Sequence, residues 1–220
     1  MHFYISNFKM KNNTFYFFTL VIFSFLLSFL SKELMNTDEL IINSLADQLT
    51  TEQLNNALDF KDKWQWISYL FIPIITLIKV SLIALILDIG LLFFDELGEI
   101  KYNKLFEIIV KSEFIFLFVI IFKTGWFYFF QSDYTLEDLQ YFYPLSSLNI
   151  IGYEGLEAWF IYPFQVLNIF ELIYWIVLSY LLGKELKVNT DKGFQIVASS
   201  YGIGLLIWVG AVMFFTLNAS

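Results

Sequence analysis

The chain has 220 residues, a net charge of −8, 58% hydrophobic residues and only 15% charged ones, far from the roughly 45–50% apolar and about 25% charged makeup of a soluble domain. That composition excludes an ordinary soluble enzyme or a nucleic-acid binder and points to one polytopic membrane domain over residues 1–220, because each crossing needs about 20 apolar residues and the stretches between apolar runs are short. Cysteine is absent and the only histidine is His2, which removes disulfides, thiolate or histidine metal sites and Cys or Ser-His nucleophiles together.

In chain order, Lys9 and Lys11 precede an apolar run, 14–30, expected to be a first span. Bulky Phe29 and Leu30 follow where a signal peptide needs small residues before a cleavage site, so an uncleaved anchor is the reading. Residues 31–63 form an extracytoplasmic amphipathic segment with Ile41, Leu45, Leu49, Leu54 and Leu58 at helical spacing. Thr50 and Gln53 stand at capping-box spacing inside it, which suggests two short helices in a hairpin on the membrane surface.

The second span is 65–94, opened by Trp64 and Trp66 as interfacial anchors and read as one helix kinked at Pro73. Residues 95–113 carry mixed charge with Leu105, Ile108 and Ile109 along one face, as a short interfacial helix would. The third span is 114–130. Residues 131–160 contain five acids, no Lys and many aromatics, so they should fold onto the interface as a loop. The fourth span, 161–182, closes at Gly183, Lys184 and Lys187 as a helix C-terminus does, and the fifth is 194–217. The predicted fold class is therefore all-α, a bundle of five transmembrane helices with short amphipathic interfacial helices.

With a cytoplasmic N-terminus, eight Lys fall inside (Lys9, Lys11, Lys101, Lys104, Lys111, Lys184, Lys187, Lys192) against three outside (Lys32, Lys61, Lys63). That asymmetry obeys the positive-inside rule and places the C-terminus outside. All thirteen basic residues are Lys, and Asn, Ile and Phe abound; this bias suits an AT-rich bacterial genome and hence a bacterial inner membrane.

Three charges lie near the centres of their spans: Lys79, Lys123 and Glu171. Exposed to lipid, three such charges would cost on the order of 10 kcal/mol, so they are expected to turn inward and meet. Asn168 shares the Glu171 face, Gln165 lies at its margin and Trp175, one turn on, is placed to cap it. Asp88 falls on the opposite helix face from Lys79. The cluster reads either as an ion pair that fixes helix register or as an ion, proton or anion site. In the last span Ala198 with Gly202 and Ser200 with Gly204 form two small-xxx-small pairs, suited to close helix packing within the chain or between copies. No P-loop, dinucleotide fingerprint or facing aspartate pair is present. No catalytic residue, metal or cofactor is expected, and the partners expected are lipid and another membrane protein or a second copy.

The run PFQVLNIFELIYWIVLSYLLGKELKVNTDKGFQIVASSYGIGLLIW, with Asn168-Ile169-Phe170 opening a span, a short basic loop and a small-residue-rich last span, resembles the end of Yip-family membrane proteins. The resemblance implies a five-span bundle with a cytoplasmic N-terminus. The family's longer N-terminal region and its Asp-Leu-Tyr-Gly-Pro motif are missing here, so a small-GTPase partner is not implied. The sequence thus points to a non-enzymatic assembly or membrane-organising component, with a small transporter or channel subunit as the alternative.

Overall fold

A computed structural model describes residues 2–46, 49–94 and 100–219, with side chains from residue 13 onward. The side chains of Lys9 and Lys11 and the start of the expected 95–113 segment, residues 95–99, lie outside the described residues. The described chain is helical: α1 (His2–Leu34), α2 (Thr37–Ala46), α3 (Thr51–Leu91), α4 (Tyr102–Glu113), α5 (Ile115–Phe129), α6 (Leu136–Tyr141), α7 (Ser147–Ile151), α8 (Ala158–Val166), α9 (Ile169–Leu186), α10 (Thr190–Val197), a π-helical turn (Ala198–Gly202) and α11 (Ile203–Ala219).

Among the described residues, three stretches are long and apolar enough to cross a membrane: Asn13–Leu34, Thr51–Leu91 and Thr190–Ala219. The other two expected spans are built differently. The stretch 114–130 holds a 15-residue helix, α5, that continues α4 after a step at Phe114. The stretch 161–182 is interrupted at Leu167 and Asn168, where α8 ends and α9 begins. The break has a local cause. Asn168 adopts an extended backbone and its side chain accepts the Glu171 N–H as an N-cap, while the Leu167 carbonyl accepts from Ser147 N and the Ile169 N–H donates to Leu145 O. Pairing with the loop satisfies backbone groups that a continuous helix would have satisfied internally.

The Thr50 capping box forms with Gln53, but the helix it opens is α3 itself, continuous through Pro73 to Leu91. At 1.5 Å per residue its 41 residues span about 60 Å, twice the hydrocarbon thickness. The expected hairpin is present between α2 and the start of α3, tied by Asp38 to Lys32 at 2.9 Å and to Lys61; its second arm is an extension of a spanning helix, not a separate surface helix.

Contacts set the directions. Asn13 reaches Asn103, Lys111 sits over Tyr16, and Thr124 donates to Ser31, so α1 runs parallel to α4 and α5. Phe25 against Tyr69 and Lys32 against Gln65 make α3 antiparallel to α1. Gly90 faces Ser200 and Gly204 faces Ile86, so the final helices run antiparallel to α3. The apolar face of α4, including Leu105, Ile109 and Val110, is buried in the central core with Val80, Leu87, Leu178 and Ile196. The expected interfacial helix is therefore a core element, and its polar face carries Glu107 between Lys104 and Lys111 at 3.0 and 2.5 Å. The outside of the bundle is apolar on α1, α3, α5, α9 and α11: Phe15, Ile75, Phe118, Leu172 and Leu206 are all exposed.

Candidate functional site

Where the backbone departs from regular α-helix, the polar interior collects. Glu113 is the last residue of α4, at the step into α5. Glu171 lies in the first turn of α9, just after the break at Asn168, where the helix N-terminus favours a negative charge. Tyr201 belongs to the π-helical turn, which advances its side chain relative to α10. Lys79 comes from the middle of α3.

Lys79 Nζ donates to Glu113 Oε2 at 2.7 Å and stands 4.1 Å from the Phe116 ring centroid, a cation–π contact. The carboxylate is 7% exposed and the lysine side chain 42%, so the lysine stem runs along the flank of the bundle while the acid lies inside it. Glu171 Oε1 accepts from Trp175 Nε1 at 2.9 Å and from the Tyr201 hydroxyl at 2.8 Å. Lys79 Nζ also lies 6.0 Å from the Tyr174 ring centroid, and that ring packs against Tyr201, whose hydroxyl holds Glu171, which brings the Lys79–Glu113 pair and Glu171 into one neighbourhood. Tyr174, fully buried, bridges them as an aromatic wall, its ring 5.1 Å from Phe116 and 5.4 Å from Tyr201. Its hydroxyl is close enough to Glu113 to interact electrostatically without reaching hydrogen-bond geometry, and Glu113 Oε1 likewise has no hydrogen-bond partner among the described residues.

Of the four residues expected in the intramembrane cluster, two are here. Lys79 and Glu171 share the site, but the direct partner of Lys79 is Glu113. Lys123 is elsewhere: its ammonium donates to the Leu139 carbonyl at the end of α6. It thereby fastens the loop 131–160 to α5 and leaves the Lys-Glu-Lys grouping unformed. Asn168 is not on the cluster face, because its side chain is occupied as the α9 cap and donates to Gln165 O and Val166 O. Trp175 caps Glu171 as its spacing predicted. Glu113, Tyr174 and Tyr201 were not singled out by sequence. The signal for Glu113 was its place one residue before the apolar run 114–122, but drawing the span from Phe114 put it in a loop.

The small residues of the last helix face the chain's own side chains. A Cβ on Gly90 would come within 2.2 Å of Ser200 Cβ, one on Gly202 within 2.6 Å of the Trp175 ring, and one on Gly204 within 2.9 Å of Ile86. Ala198 is half-buried at the start of the π-helical turn. Gly202 makes room for the indole that holds Glu171, so packing and polar pairing share one device.

The loop 131–160 forms a second polar locus. Asp138 closes a capping box on α6 with Thr135 and accepts from the Tyr153 hydroxyl at 2.8 Å. Burial pushes the Asp138 carboxyl up, but bonds from the Thr135 N–H, the Tyr153 hydroxyl and the Thr135 hydroxyl outweigh it and hold the group below the usual carboxylate range. The bond to Asp138, followed by burial, pushes Tyr153 up to about 12. Trp126 stacks on Phe142 at 5.6 Å, and with Phe127 and Tyr141 they line a cavity of about 390 Å³ between α5 and the loop.

Among the described residues, no group of three or more acidic, His or Cys side chains is arranged to hold a metal ion. No protein-family model, curated protein or solved structure matches this chain.

Proposed function

We propose that this chain is a non-enzymatic, five-span integral membrane protein of Yip-like type, acting as an assembly or membrane-organising component of a bacterial inner membrane. One observation carries the reading. Each charge expected in the bilayer interior is held by a partner on a different element, Lys79 by Glu113, Lys123 by Leu139 and Glu171 by Tyr201, so the polar groups act as clasps between helices. Clasps of this kind specify a packing more than they add stability. The five-span count is supported by the exposed apolar surfaces of α5 and α9, which water would disfavour. A cytoplasmic N-terminus is supported by the Lys asymmetry together with the alternating helix directions. The resemblance of the C-terminal stretch to Yip proteins supports the class, and lipid with another membrane protein or a second copy remains the expected partner.

A small transporter or channel subunit is the second reading, favoured by the breaks in regular helix beside Glu113, Glu171 and Tyr201, because discontinuous helices often line substrate and ion sites. Reconstitution separates the two. Under the first reading, proteoliposomes of the chain hold an imposed pH gradient as empty liposomes do, and Glu171→Gln lowers the yield of folded protein. Gradient decay that Glu171→Gln abolishes at unchanged yield would establish the second reading and overturn the first.

A further inference from the structure

The charge count at the junction of α3, α4 and α9 does not close. Two carboxylates, Glu113 and Glu171, face one ammonium, Lys79, and the 2.7 Å contact pairs that ammonium with Glu113. Glu171 is left with two neutral donors, the Trp175 N–H and the Tyr201 O–H. Neutral donors solvate a carboxylate without cancelling its charge, and a net charge held away from water is costly unless a proton or counter-ion removes it. Glu113 Oε1, on a 7% exposed side chain, and the hydroxyl of fully buried Tyr174 have no hydrogen-bond partner among the described residues and lie beside one another. The phenol's own hydrogen, turned toward that carboxylate oxygen, would pair the two, so the excess of negative charge, not these two atoms, is what calls for a proton.

We propose that Glu113 and Glu171 together hold one exchangeable proton, so that the Lys79–Glu113–Glu171 junction is electrically neutral with both carboxyl groups inside the bundle. The ligand of this site is a proton. A metal cation is disfavoured because the acidic oxygens come from two side chains only and one of those already binds the ammonium. The other titratable groups that face the junction are tyrosines from four elements: Tyr143 from the loop, Tyr162 from α8, Tyr174 from α9 and Tyr201 from the π-helical turn. Beyond Lys79, α3 offers Asp88, nine residues on and half-buried on its opposite face, and α5 offers Phe116, which shields the ammonium. Release of the proton to water leaves two carboxylates against one ammonium; no bond other than O–H is broken. Because the two carboxyl groups are coupled, the loss of this proton is a macroscopic step of the pair and belongs to neither residue alone. The inference goes beyond the assembly reading and requires no transport.

Infrared difference spectroscopy on the full chain in lipid nanodiscs at neutral pH tests it, because the C=O stretch of a protonated carboxyl is separate from that of a carboxylate. The wild type should show one such band, shifted in D₂O and unchanged when choline chloride replaces sodium chloride. Glu113→Gln and Glu171→Gln should each abolish it, since Lys79 then neutralises the remaining carboxylate. Lys79→Met should roughly double its amplitude, and that variant decides the matter if the Gln variants cannot be purified. Absence of the band in the wild type, its survival in either Gln variant, an unchanged amplitude in Lys79→Met, or its loss on adding sodium would each overturn the proposal.

Discussion

At Glu171 the carboxyl group accepts two direct hydrogen bonds, from Trp175 and Tyr201. Tyr201→Phe removes one hydrogen bond to this acid and is expected to cost about 1.5–3 kcal/mol, measured as a shift of the unfolding midpoint in mixed detergent. Glu113→Ala removes the direct partner of Lys79 and leaves it only the more distant Glu171, which should cost about 2–4 kcal/mol, below the range for a fully enclosed pair because the lysine is 42% exposed. Outside the spans, acid should weaken the loop. Asp138 has its carboxyl depressed in the folded chain, so its contribution is complete above the unfolded value near 3.9 and is lost as pH falls through the folded one. Thermal unfolding at stepped pH is expected to show a fall in stability below about pH 4, reduced in Asp138→Asn. The placement of Glu171 inside the protein and the capping role of Trp175 were legible from spacing, because i and i+4 meet on any helix. The partner of Lys79 was not, since spacing along one helix says nothing about which acid a neighbouring helix brings to the same depth.

Among the elements, α3 and the final helix meet through Gly90 and Ser200. Gly90→Ala forces a Cβ into Ser200, with an expected loss of about 1–3 kcal/mol from overpacking; Ser200→Gly in the same chain should recover most of it, and a double-mutant cycle on unfolding free energies checks the pair. Asn168→Ala is expected to cost about 1 kcal/mol through loss of the α9 cap. The five apolar runs were evident in the sequence because apolar length is a one-dimensional property. The break at Leu167 and Asn168 had a signal that hydropathy hides: Asn168 followed at the third position by Glu171 has the spacing of a helix start. The π-helical turn had none, since one residue's excess in a small-residue stretch leaves the composition unchanged. The α4 face was correctly seen as amphipathic, but an apolar stripe can be covered by lipid or by other helices, and only packing distinguishes the two.

For the molecule as a whole, we propose that α4–α5 and α8–α9 cross the membrane beside the three long apolar helices, although neither is a single long apolar helix. The chain has no cysteine, so single substitutions report on topology cleanly. The most direct measurement is labelling of Asn36→Cys, Ser132→Cys, Asn103→Cys, Asn189→Cys and Asn218→Cys in intact cells with a membrane-impermeant maleimide. The account predicts labelling at positions 36, 132 and 218 without permeabilisation, and at 103 and 189 only after it. Positions 103 and 132 reacting from the same side would contradict it, because α4 and α5 would then not cross.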